Sequence, residues 1–552
     1  MKFNNTKVVD YLFSHWDFIL LIIILFLISF IRLRLIHVPI ERDEGEYAYA
    51  AQLILQGVPP YHEVYSMKMP GMYAIYALIL ALLGQTHSAI HLGLLLVNGA
   101  TVLLVFFLAR RVFDPLSAVV ASASFALLSV SQPVEGIFAN AEHFVILPTV
   151  GGVLLLFHAT ESDRPKLLFW SGLLFGTAFM IKQHGGAFAA FAGFYLVSQE
   201  LRRRPVRWRQ FLVKGLLLVA GAILPFILAC LLFARLGVFE RFWFWTFVYA
   251  REYVSLVPLS MGWELLKLNV PILASAMLLW ILAGLGLTAL LWDNSARHRW
   301  VFTLSFLIFS ICSVCPGFYF RRHYFVLILP SIALLVGISV SSLVRLLGKK
   351  SVIRALPILC VMIALIHSIY YQRYYLFEAS PTMIARSTYG GNPFPESLNI
   401  ARYIEDHTTS NDHIAVLGSE PQIYFYAHRR AATRYIYAYP LMEPHKFAKK
   451  MQEEMIADID TSRPRFLVFV NVYMSWLVQP TSEPLVFTWF RQFQQDYYQL
   501  VGIVDIISSD ETVWRWGDAA AGYVPRSKFW LAIFRERSGA PYFENSGSPD
   551  GR

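Results

Sequence analysis

The sequence is poor in charged residues and in cysteine. Only 15% of its 552 residues are charged, whereas 56% are hydrophobic; soluble globular proteins carry about a quarter charged residues. This composition excludes an ordinary soluble fold and indicates a membrane protein with several spans. Of the four cysteines, Cys312 and Cys315 form a CxxC pair with no second pair elsewhere. We therefore expect small packing residues at these positions, not a zinc or redox site.

The sequence also lacks an internal repeat, a glycine-rich phosphate loop and a small-residue cleavage site behind its first apolar stretch. We therefore expect a retained first helix and not a signal peptide. Apolar stretches of about 20 residues, the length that crosses a bilayer, predict about 11 transmembrane helices. Their approximate limits are 17–36, 88–109, 116–134, 142–158, 167–181, 186–200, 210–234, 265–292, 300–317, 324–347 and 352–371.

The net charge of +10 does not indicate nucleic-acid binding, because the basic residues collect in short loops that alternate along the chain. The densest of these loops contains Arg202, Arg203, Arg204, Arg207 and Arg209. Alternate basic loops are typical of the cytoplasmic side of a membrane. This pattern places the N-terminus in the cytoplasm, and residues 37–87 and the chain after Tyr371 outside. Arg32 and Arg34, at the outer end of the first helix, contradict this orientation, but the later loops outweigh them.

The outer segment 37–87 is predicted to contain two short helices on the membrane surface. The first extends from Glu44 to Gln56 and places apolar side chains at i, i+3, i+4 and i+7. The second follows Pro70 and continues towards Gly84. A helix with one apolar stripe lies along a membrane surface and does not cross it. This segment belongs to a predicted transmembrane domain, residues 1–371.

A small α/β domain outside the membrane is predicted for residues 372–537. Short apolar runs alternate there with helical patterns, as in domains where strands and helices alternate. Strands are predicted at 413–418, 433–437, 465–470 and 500–507, and helices at 396–409, 443–458 and 484–496. The last residues, 538–552, are rich in Gly, Ser and Pro, and we expect them to be disordered.

Polar residues near the outer membrane boundary are the candidates for chemistry. They are Asp43 and Glu44 after the first helix, Lys68 in the same segment, and Asn140 and Glu142 in the next outer loop. A carboxylate there can act as a general base, and an ammonium group can neutralise a phosphate leaving group. The alternative is that all are solvated loop charges, with Asp43 and Glu44 capping a helix. Three polar sites on one side of the membrane favour a functional role.

The same residues resemble a known family. Asp43-Glu44 after the first membrane helix, the surface helices and Lys68-Met69-Pro70 resemble glycosyltransferases of the GT-C fold, such as protein O-mannosyltransferases and lipid A aminoarabinose transferases. Lys68-Met69-Pro70 departs from the Lys-Pro-Pro that many members have. Asn140-Ala141-Glu142 is similar to a second acidic motif, and Lys182-Gln183 and Phe320–Phe325 extend the resemblance, which covers roughly residues 10–371.

The resemblance implies a transfer of a sugar from a polyprenyl-phosphate donor to an envelope lipid, glycan or protein. The reaction would occur at the outer face of the cytoplasmic membrane, with inversion at the anomeric carbon. It implies a multi-pass protein in contact with membrane lipids. No cofactor or metal ion is predicted, although a divalent metal stays open because relatives differ in metal use.

The resemblance also implies roles for individual residues. The catalytic group would comprise Asp43, Glu44 and Glu142, with Asp43 as the base or the group that orients the acceptor. The residues that bind the donor phosphate would be Lys68, Arg321 and Arg322, although the two arginines could instead anchor lipid headgroups. Further contacts with donor or acceptor would come from Asn140, Lys182, Gln183, His323 and Tyr324.

A transporter or flippase of lipid-linked saccharides is the alternative function. Such a protein would be expected to place ionisable groups at the middle of the membrane and to show two repeated halves. The acidic residues singled out here lie instead at the outer edge, and no repeat is visible. The sequence therefore favours an enzyme.

Overall fold

The computed structural model describes residues 15–203, 205–348 and 351–537. The chain divides into two compact units, which are described separately. The first contains residues 1–61 and 66–384, and the second contains residues 62–65 and 385–552. The predicted disordered tail, residues 538–552, lies outside the described residues.

The first unit is built from helices. Within the described residues, six helices are long and apolar enough to cross a membrane, or seven if a bent pair is counted as one span. The six are Trp16–Arg34, His87–Val112, Ala141–Glu161, Trp208–Arg235, Arg322–Leu346 and Ile353–Tyr371. Four shorter apolar helices are Pro70–Leu83, Pro115–Leu128, Lys166–Ile181 and Trp300–Val314. The predicted helical membrane architecture is confirmed, whereas the number of 11 spans stays a prediction.

Shorter or more polar helices connect these elements. They are Arg42–Leu55, Gly186–Arg202, Phe239–Trp243, Ala250–Val254, Asn294–Arg297 and Pro381–Tyr389, with π-helical turns at Phe244–Tyr249 and Tyr374–Glu378. Arg42–Leu55 and Pro70–Leu83 agree closely with the two helices predicted between residues 37 and 87. Their position at the membrane surface stays a prediction.

One predicted helix, residues 265–292, is wrong as a single straight element. Leu259–Ala274 and Met277–Trp292 meet at an angle of 102°. Pro271, which lacks a backbone N–H, begins the last turn of the first arm. The side chain of Asn269 donates to the carbonyl of Phe320 at 2.8 Å, which anchors the bend. The apolar sequence continues through this bend, so the sequence pattern did not predict it.

Glycines allow two helices of the first unit to pack at very short range. A Cβ atom on Gly172 would lie 2.1 Å from the carbonyl oxygen of Leu218, and one on Gly176 would lie 2.2 Å from that of Ala222. The helices Lys166–Ile181 and Trp208–Arg235 therefore make backbone contact, which small residues permit in membrane helix pairs.

Ion pairs join the helix ends on the side of the first unit where the basic loops lie. Asp17, in the first turn of Trp16–Arg34, contacts Arg110 at 2.8 Å. Glu161 contacts Arg111 at 3.1 Å and Arg299 at 3.0 Å. The basic loops that we assigned to one side of the membrane are therefore neighbours in space.

Arg32 and Arg34, the two residues that contradicted the predicted orientation, are engaged inside the protein. Arg32 is buried, and its guanidinium donates to the carbonyls of Ser129 and Gly136 at 2.9 and 3.2 Å. Arg34 donates to the carbonyl of Ala379 at 2.8 Å. Both side chains bind backbone carbonyls of the first unit, so the basic residues at this end of the helix have a structural role.

The second unit contains a six-stranded mixed sheet with the strand order β2-β1-β3-β6-β4-β5. The strands are β1 His413–Leu417, β2 Arg430–Ala431, β3 Phe466–Asn471, β4 Tyr498–Ile506, β5 Thr512–Trp516 and β6 Trp530–Glu536. Strands β2, β1 and β3 are parallel, and the others pair antiparallel. The longer helices are Phe394–Asp406, Ala448–Ser462 and Leu485–Tyr497, and shorter ones are Gln422–Ala427, Tyr439–Met442, Tyr473–Trp476 and Asp518–Ala521.

The predicted C-terminal sheet is confirmed, with two differences in its strands. The strand predicted at 433–437 is wrong, because the backbone and side chain of Arg434 are occupied by hydrogen bonds with Tyr65 and Asp458. The short strand β2 lies just before it. Strands β5 and β6 were not predicted.

A short segment of the first outer loop, residues 62–65, belongs to the second unit. The N–H of Tyr65 donates to the carbonyl of Arg434 at 2.9 Å, and the Tyr65 hydroxyl accepts from the Arg434 guanidinium at 2.8 Å. Glu63 forms an ion pair with Arg430 at 3.4 Å. This segment precedes Lys68 by only a few residues.

Candidate active site in the outer loops

The first loop helix, Arg42–Leu55, begins with a reciprocal cap. The side chain of Glu41 accepts from the N–H of Glu44, and the side chain of Glu44 accepts from the N–H of Glu41, both at 3.0 Å. Such a capping box satisfies N–H groups that the first turn of a helix leaves open. It also fixes Asp43 within that turn.

Asp43 and Glu46 share Lys68. The Lys68 ammonium lies 2.8 Å from Asp43 Oδ1 and 2.9 Å from Glu46 Oε2. It also lies 4.5 Å above the ring of Tyr47. The hydroxyl of Tyr73 donates to Glu46 at 2.7 Å. The side chain of Asp43 is 20% exposed and that of Glu46 only 1%, so Asp43 is the more accessible carboxylate.

The charge of Lys68 decides the ionisation of Asp43. Burial alone would raise the pKa of Asp43, but the Lys68 ammonium, with contributions from His323 and Lys182, holds this pKa well below its usual range. Burial would lower the pKa of Lys68, but Asp43 and Glu46 raise it above its usual range. Both groups are therefore charged at neutral pH, and Asp43 is a weak proton acceptor.

Glu44, which was predicted as catalytic, is buried and bound on all sides. Besides its part in the helix cap, its carboxylate accepts from the N–H of Ala139 at 2.6 Å and lies 3.1 Å from His91 Nε2. Glu44 thus ties the first outer loop to the second. A catalytic role for Glu44 stays a prediction, and its contacts are those of a residue that positions the two loops.

The second outer loop contributes a second ion pair. Glu142 is in the first turn of Ala141–Glu161 and contacts the ammonium of Lys182. Lys182 lies 4.3 Å above the ring of Tyr324. Asn140 Nδ2 and Glu142 Oε2 are buried, and neither finds a hydrogen-bond partner within the described residues.

Two further contacts connect the first and second ion pairs. The side chain of Gln183 donates to the carbonyl of Met67 at 2.9 Å and so fixes the backbone next to Lys68. Tyr47 lies within reach of the charges of both Asp43 and Glu142; burial first, and then these carboxylates, raise the pKa of its hydroxyl well above the usual value. The two ion pairs therefore share one site.

The predicted phosphate-binding arginines directly precede His323 and Tyr324 in the chain. The guanidinium of Arg321 lies 5.5 Å from the ring centre of Tyr319. Arg322 is exposed. The next residue, His323, directs Nδ1 to Glu135 Oε2 at 2.9 Å.

Sequence reasoning missed Glu46 and Glu135. Glu46 follows Asp43 by three residues in a helix, a spacing that places both on one face and could have indicated their common partner. Glu135 carried no local signal, since its partner is 188 residues away. No group of three or more His, Cys, Asp or Glu side chains arranged to hold a metal ion is found in the part of the chain that the structure describes.

The sequence is similar to known glycosyltransferases. Residues 67–229 match the family described as dolichyl-phosphate-mannose-protein mannosyltransferase. This region includes Lys68 and Glu142 but not Asp43 or Arg321. The undecaprenyl phosphate-alpha-4-amino-4-deoxy-L-arabinose arabinosyl transferase of Pseudomonas aeruginosa (strain LESB58) is 31% identical over 219 residues. That alignment covers 37% of this chain and only 38% of the relative.

The fold is similar to two solved membrane proteins. ArnT from Cupriavidus metallidurans, bound to undecaprenyl phosphate, has a TM-score of 0.55 at 15% identity and covers 84% of this chain and 94% of its own. The oligosaccharyltransferase AglB from Archaeoglobus fulgidus, in complex with an inhibitory peptide and a dolichol-phosphate, has a TM-score of 0.54 at 12% identity. That match covers 94% of this chain and 76% of AglB. The resemblance predicted from the sequence is therefore confirmed.

Proposed function

We propose that this protein, whose fold is that of the GT-C membrane glycosyltransferases, transfers a sugar from a polyprenyl-phosphate donor to an envelope lipid, glycan or protein. The proposal rests on the partly exposed Asp43 carboxylate, which Lys68 holds ionised in an otherwise buried site. A fixed charge in a water-poor site is what stabilises charge that develops during a reaction. A transporter would be expected to place such charges at the middle of the membrane.

The proposed reaction is a displacement at the anomeric carbon of the donor sugar. An acceptor hydroxyl oxygen forms a bond to the anomeric carbon from the face opposite the phosphate, and the bond from that carbon to the phosphate oxygen breaks with inversion. The electron pair leaves with the polyprenyl phosphate. The Asp43 carboxylate stabilises positive charge that develops on the sugar ring, as carboxylates do in glycoside chemistry.

The phosphate is assigned chiefly to Arg321 and Arg322. Lys68 already neutralises part of the charge of two carboxylates, so the group of Asp43, Glu46 and Lys68 has a formal charge of about −1 when all three are ionised. An arginine side chain is well suited to phosphate because its planar fork donates two parallel hydrogen bonds. Lys68 can therefore contact the phosphate only if its ion pair with Asp43 or Glu46 breaks.

The second loop is assigned to substrate hydroxyls. The unpartnered amide of Asn140 can donate a hydrogen bond, and the unpartnered oxygen of Glu142 can accept one. A buried polar atom without a partner is unfavourable, so a sugar that supplies both partners gains binding energy. Lys182, Gln183 and Tyr324 hold these groups in place, and Glu44 positions the loop.

The proposed location is the cytoplasmic membrane, with the N-terminus inside and the active site and C-terminal domain outside. The clustering of the basic loops on one side of the first unit supports this orientation. Undecaprenyl-phosphate-linked sugars are the first donors to test, because the similar arabinosyl transferases are named for one. The proposal needs no cofactor, and an assay with and without a chelator tests for a divalent metal.

The test is a mass-spectrometric comparison of envelope lipids and glycans from a deletion strain carrying wild type, Asp43→Asn or Asp114→Asn. Asp114 is the matched control, because it caps a helix at 2.8 Å from the N–H of Ser117 and lies among the basic loops, away from the proposed site. Asparagine caps a helix as well as aspartate does.

With Asp43→Asn, we expect a polyprenyl-phosphate sugar to accumulate while one lipid, glycan or protein loses the same sugar. Asp114→Asn should have the wild-type profile. If the deletion strain is altered and Asp43→Asn restores it fully, the proposed role of Asp43 is wrong. The transporter or flippase function would then be the better explanation.

A further inference from the structure

Within the described residues of the first unit, two histidine–carboxylate pairs are found, and they differ in which ring nitrogens are bound. In the first, His91 Nε2 faces Glu44 and Nδ1 faces the carbonyl of Ile36, both at 3.1 Å, and both side chains are almost completely buried. In the second, only Nδ1 of His323 is engaged, by Glu135 at 2.9 Å. His323 keeps 13% of its side chain exposed, and its Nε2 makes no hydrogen bond within the described residues.

Glu135 is held in an unusual conformation. Its φ of +55° is in the left-handed region, which residues other than glycine rarely occupy. The neighbouring backbone is held by buried Arg32, which donates to Ser129 and Gly136. Strained residues that persist in a fixed loop concentrate at functional sites. The conformation directs the Glu135 carboxylate to the imidazole of His323.

The ring of His323 lies among the charged groups of the candidate site. Its charge acts on Asp43 in the first loop, on Glu142 and His143 in the second loop, and on His184 after the helix Lys166–Ile181. The other charged groups nearby are Glu135, Lys182 and the two preceding arginines. The ring of Tyr324 connects His323 to this site, since its centre lies 5.0 Å from that of His323 and 4.3 Å from the Lys182 ammonium.

The proposed transfer leaves one proton unassigned. The acceptor hydroxyl must lose its proton as the new glycosidic bond forms, and Asp43, held ionised by Lys68, is a weak acceptor for it. An imidazole whose other nitrogen is bound by a carboxylate is a well-known solution to this requirement. The carboxylate fixes the tautomer and stabilises the imidazolium that forms.

We propose that Nε2 of His323 receives the proton of the acceptor hydroxyl, and that Glu135 is the residue that positions His323. This inference rests on the proposed glycosyltransferase function. The oxygen–hydrogen bond of the acceptor breaks, and its proton moves to Nε2 while its oxygen bonds to the anomeric carbon. The polyprenyl phosphate leaves with the electron pair of the broken bond, and the imidazolium later returns the proton to water.

The first experiment measures transfer by the full-length protein in nanodiscs, with undecaprenyl phosphate-linked aminoarabinose and lipid A as the first substrates. The variants are His323→Gln, Glu135→Gln and the control His37→Gln, an outer histidine that contacts Ser88 at 3.0 Å. A general base contributes about 10²–10⁴-fold, so we expect a kcat loss of this size for His323→Gln. Glu135→Gln should lose about 10–100-fold in kcat with little change in the donor KM.

The pH dependence of kcat/KM distinguishes a catalytic role of His323 from a structural one. Wild type and His37→Gln should lose kcat/KM on the acid side as an imidazole becomes protonated, and His323→Gln should lack this inflection. A purely structural role would lower activity equally at every pH. If His323→Gln keeps the wild-type inflection, or more than about a third of the wild-type kcat, the proposal is wrong.

The second experiment does not need turnover. Diethyl pyrocarbonate modifies unprotonated imidazole nitrogens, and mass spectrometry measures the rate at each histidine. We expect rapid modification of His323, at least about threefold protection by undecaprenyl phosphate and an altered rate in Glu135→Gln. If the tested sugar is not transferred but these three results hold, the choice of substrates is wrong and the proposed His323–Glu135 pair is supported. If His323 is modified slowly, or at a rate that Glu135→Gln does not change, the proposed pair is wrong.

Discussion

Ion pairs join loops on both sides of the first unit, but those on the two sides differ in exposure. Among the basic loops, the Arg111–Glu161 pair has side chains that are 41% and 30% exposed. In the outer loops, Lys182 and Glu142 are 17% and 0% exposed. Exposed pairs contribute little to stability because water and salt screen them. Buried charges are unfavourable unless paired, and they are concentrated at functional sites.

One pair among the basic loops makes the comparison sharper, because it is as buried as those of the outer site. Lys214 lies 2.9 Å from Glu200, with exposures of 5% and 2%. Its second partner, Asp163, lies 2.7 Å from Lys214 and is 55% exposed. Neither burial of an ion pair nor an accessible carboxylate next to it therefore distinguishes the two sides, and transfer by variants of each side is the measurement that does.

The largest effect is expected when the buried lysines are removed. Lys182→Met leaves buried Glu142 without its ion-pair partner, which should destabilise the fold by about 3–5 kcal/mol. Lys214→Met removes the nearer partner of Glu200 but leaves Arg203 at 3.6 Å, so its effect on stability should be smaller. Transfer per folded molecule should fall by about 10²-fold only in Lys182→Met. Thermal unfolding and transfer assays in nanodiscs measure the two quantities separately.

The double variant Glu142→Gln/Lys182→Met is the control for this prediction. It removes both charges, so stability should return towards that of wild type, while transfer should stay low. If Lys214→Met loses as much transfer per folded molecule as Lys182→Met, the distinction between the two sides is wrong.

A smaller effect, visible mainly as a pH dependence, is expected for Lys68→Met. Without the ammonium, burial is opposed only by the smaller effects of His323 and Lys182, so the pKa of Asp43 rises. Transfer should then fall more steeply than in wild type as the pH is lowered from 8 to 6, by about a further tenfold. Lys68→Arg keeps the charge and should keep the wild-type profile. A wild-type profile for Lys68→Met would mean that Asp43 does not need to be ionised.

The contribution of the Asp43–Lys68 ion pair to the stability of the folded protein depends on pH. The pKa of Asp43 is lowered in the folded protein, so its contribution is present above about pH 4 and is lost as the pH falls further. The pKa of Lys68 is raised, so its contribution is present below about pH 10 and is lost above it. Thermal unfolding between these limits should show a constant contribution from the pair.

The smallest effect is expected for Arg299→Gln, which breaks an ion pair with Glu161 at 3.0 Å. Both side chains are about a third exposed, so the change in the free energy of unfolding should be below about 1 kcal/mol. Transfer should stay within about twofold of wild type. A larger loss of transfer would show that the basic side also governs the reaction.

Local sequence patterns were enough to predict most helices and part of the site. The apolar stretches predicted the membrane helices, and the polar turn at Asp43 predicted the start of the first loop helix. The bend between Ala274 and Met277 was missed, because an apolar stretch has no local signal for a hydrogen bond with a distant loop. The hydrogen bond of Asn269 with Phe320 is such a contact.

Hydropathy and residue order along the chain were enough to predict a helical membrane architecture and where acids and lysines stand in it. Helix packing, by contrast, pairs Lys68 with Asp43 and Glu46, Lys182 with Glu142, and Glu135 with His323. Hydrophobic periodicity is a local property that can be read from neighbours along the chain. The partner of a charge depends on helix packing across many residues, as in the separation of 188 residues between Glu135 and His323.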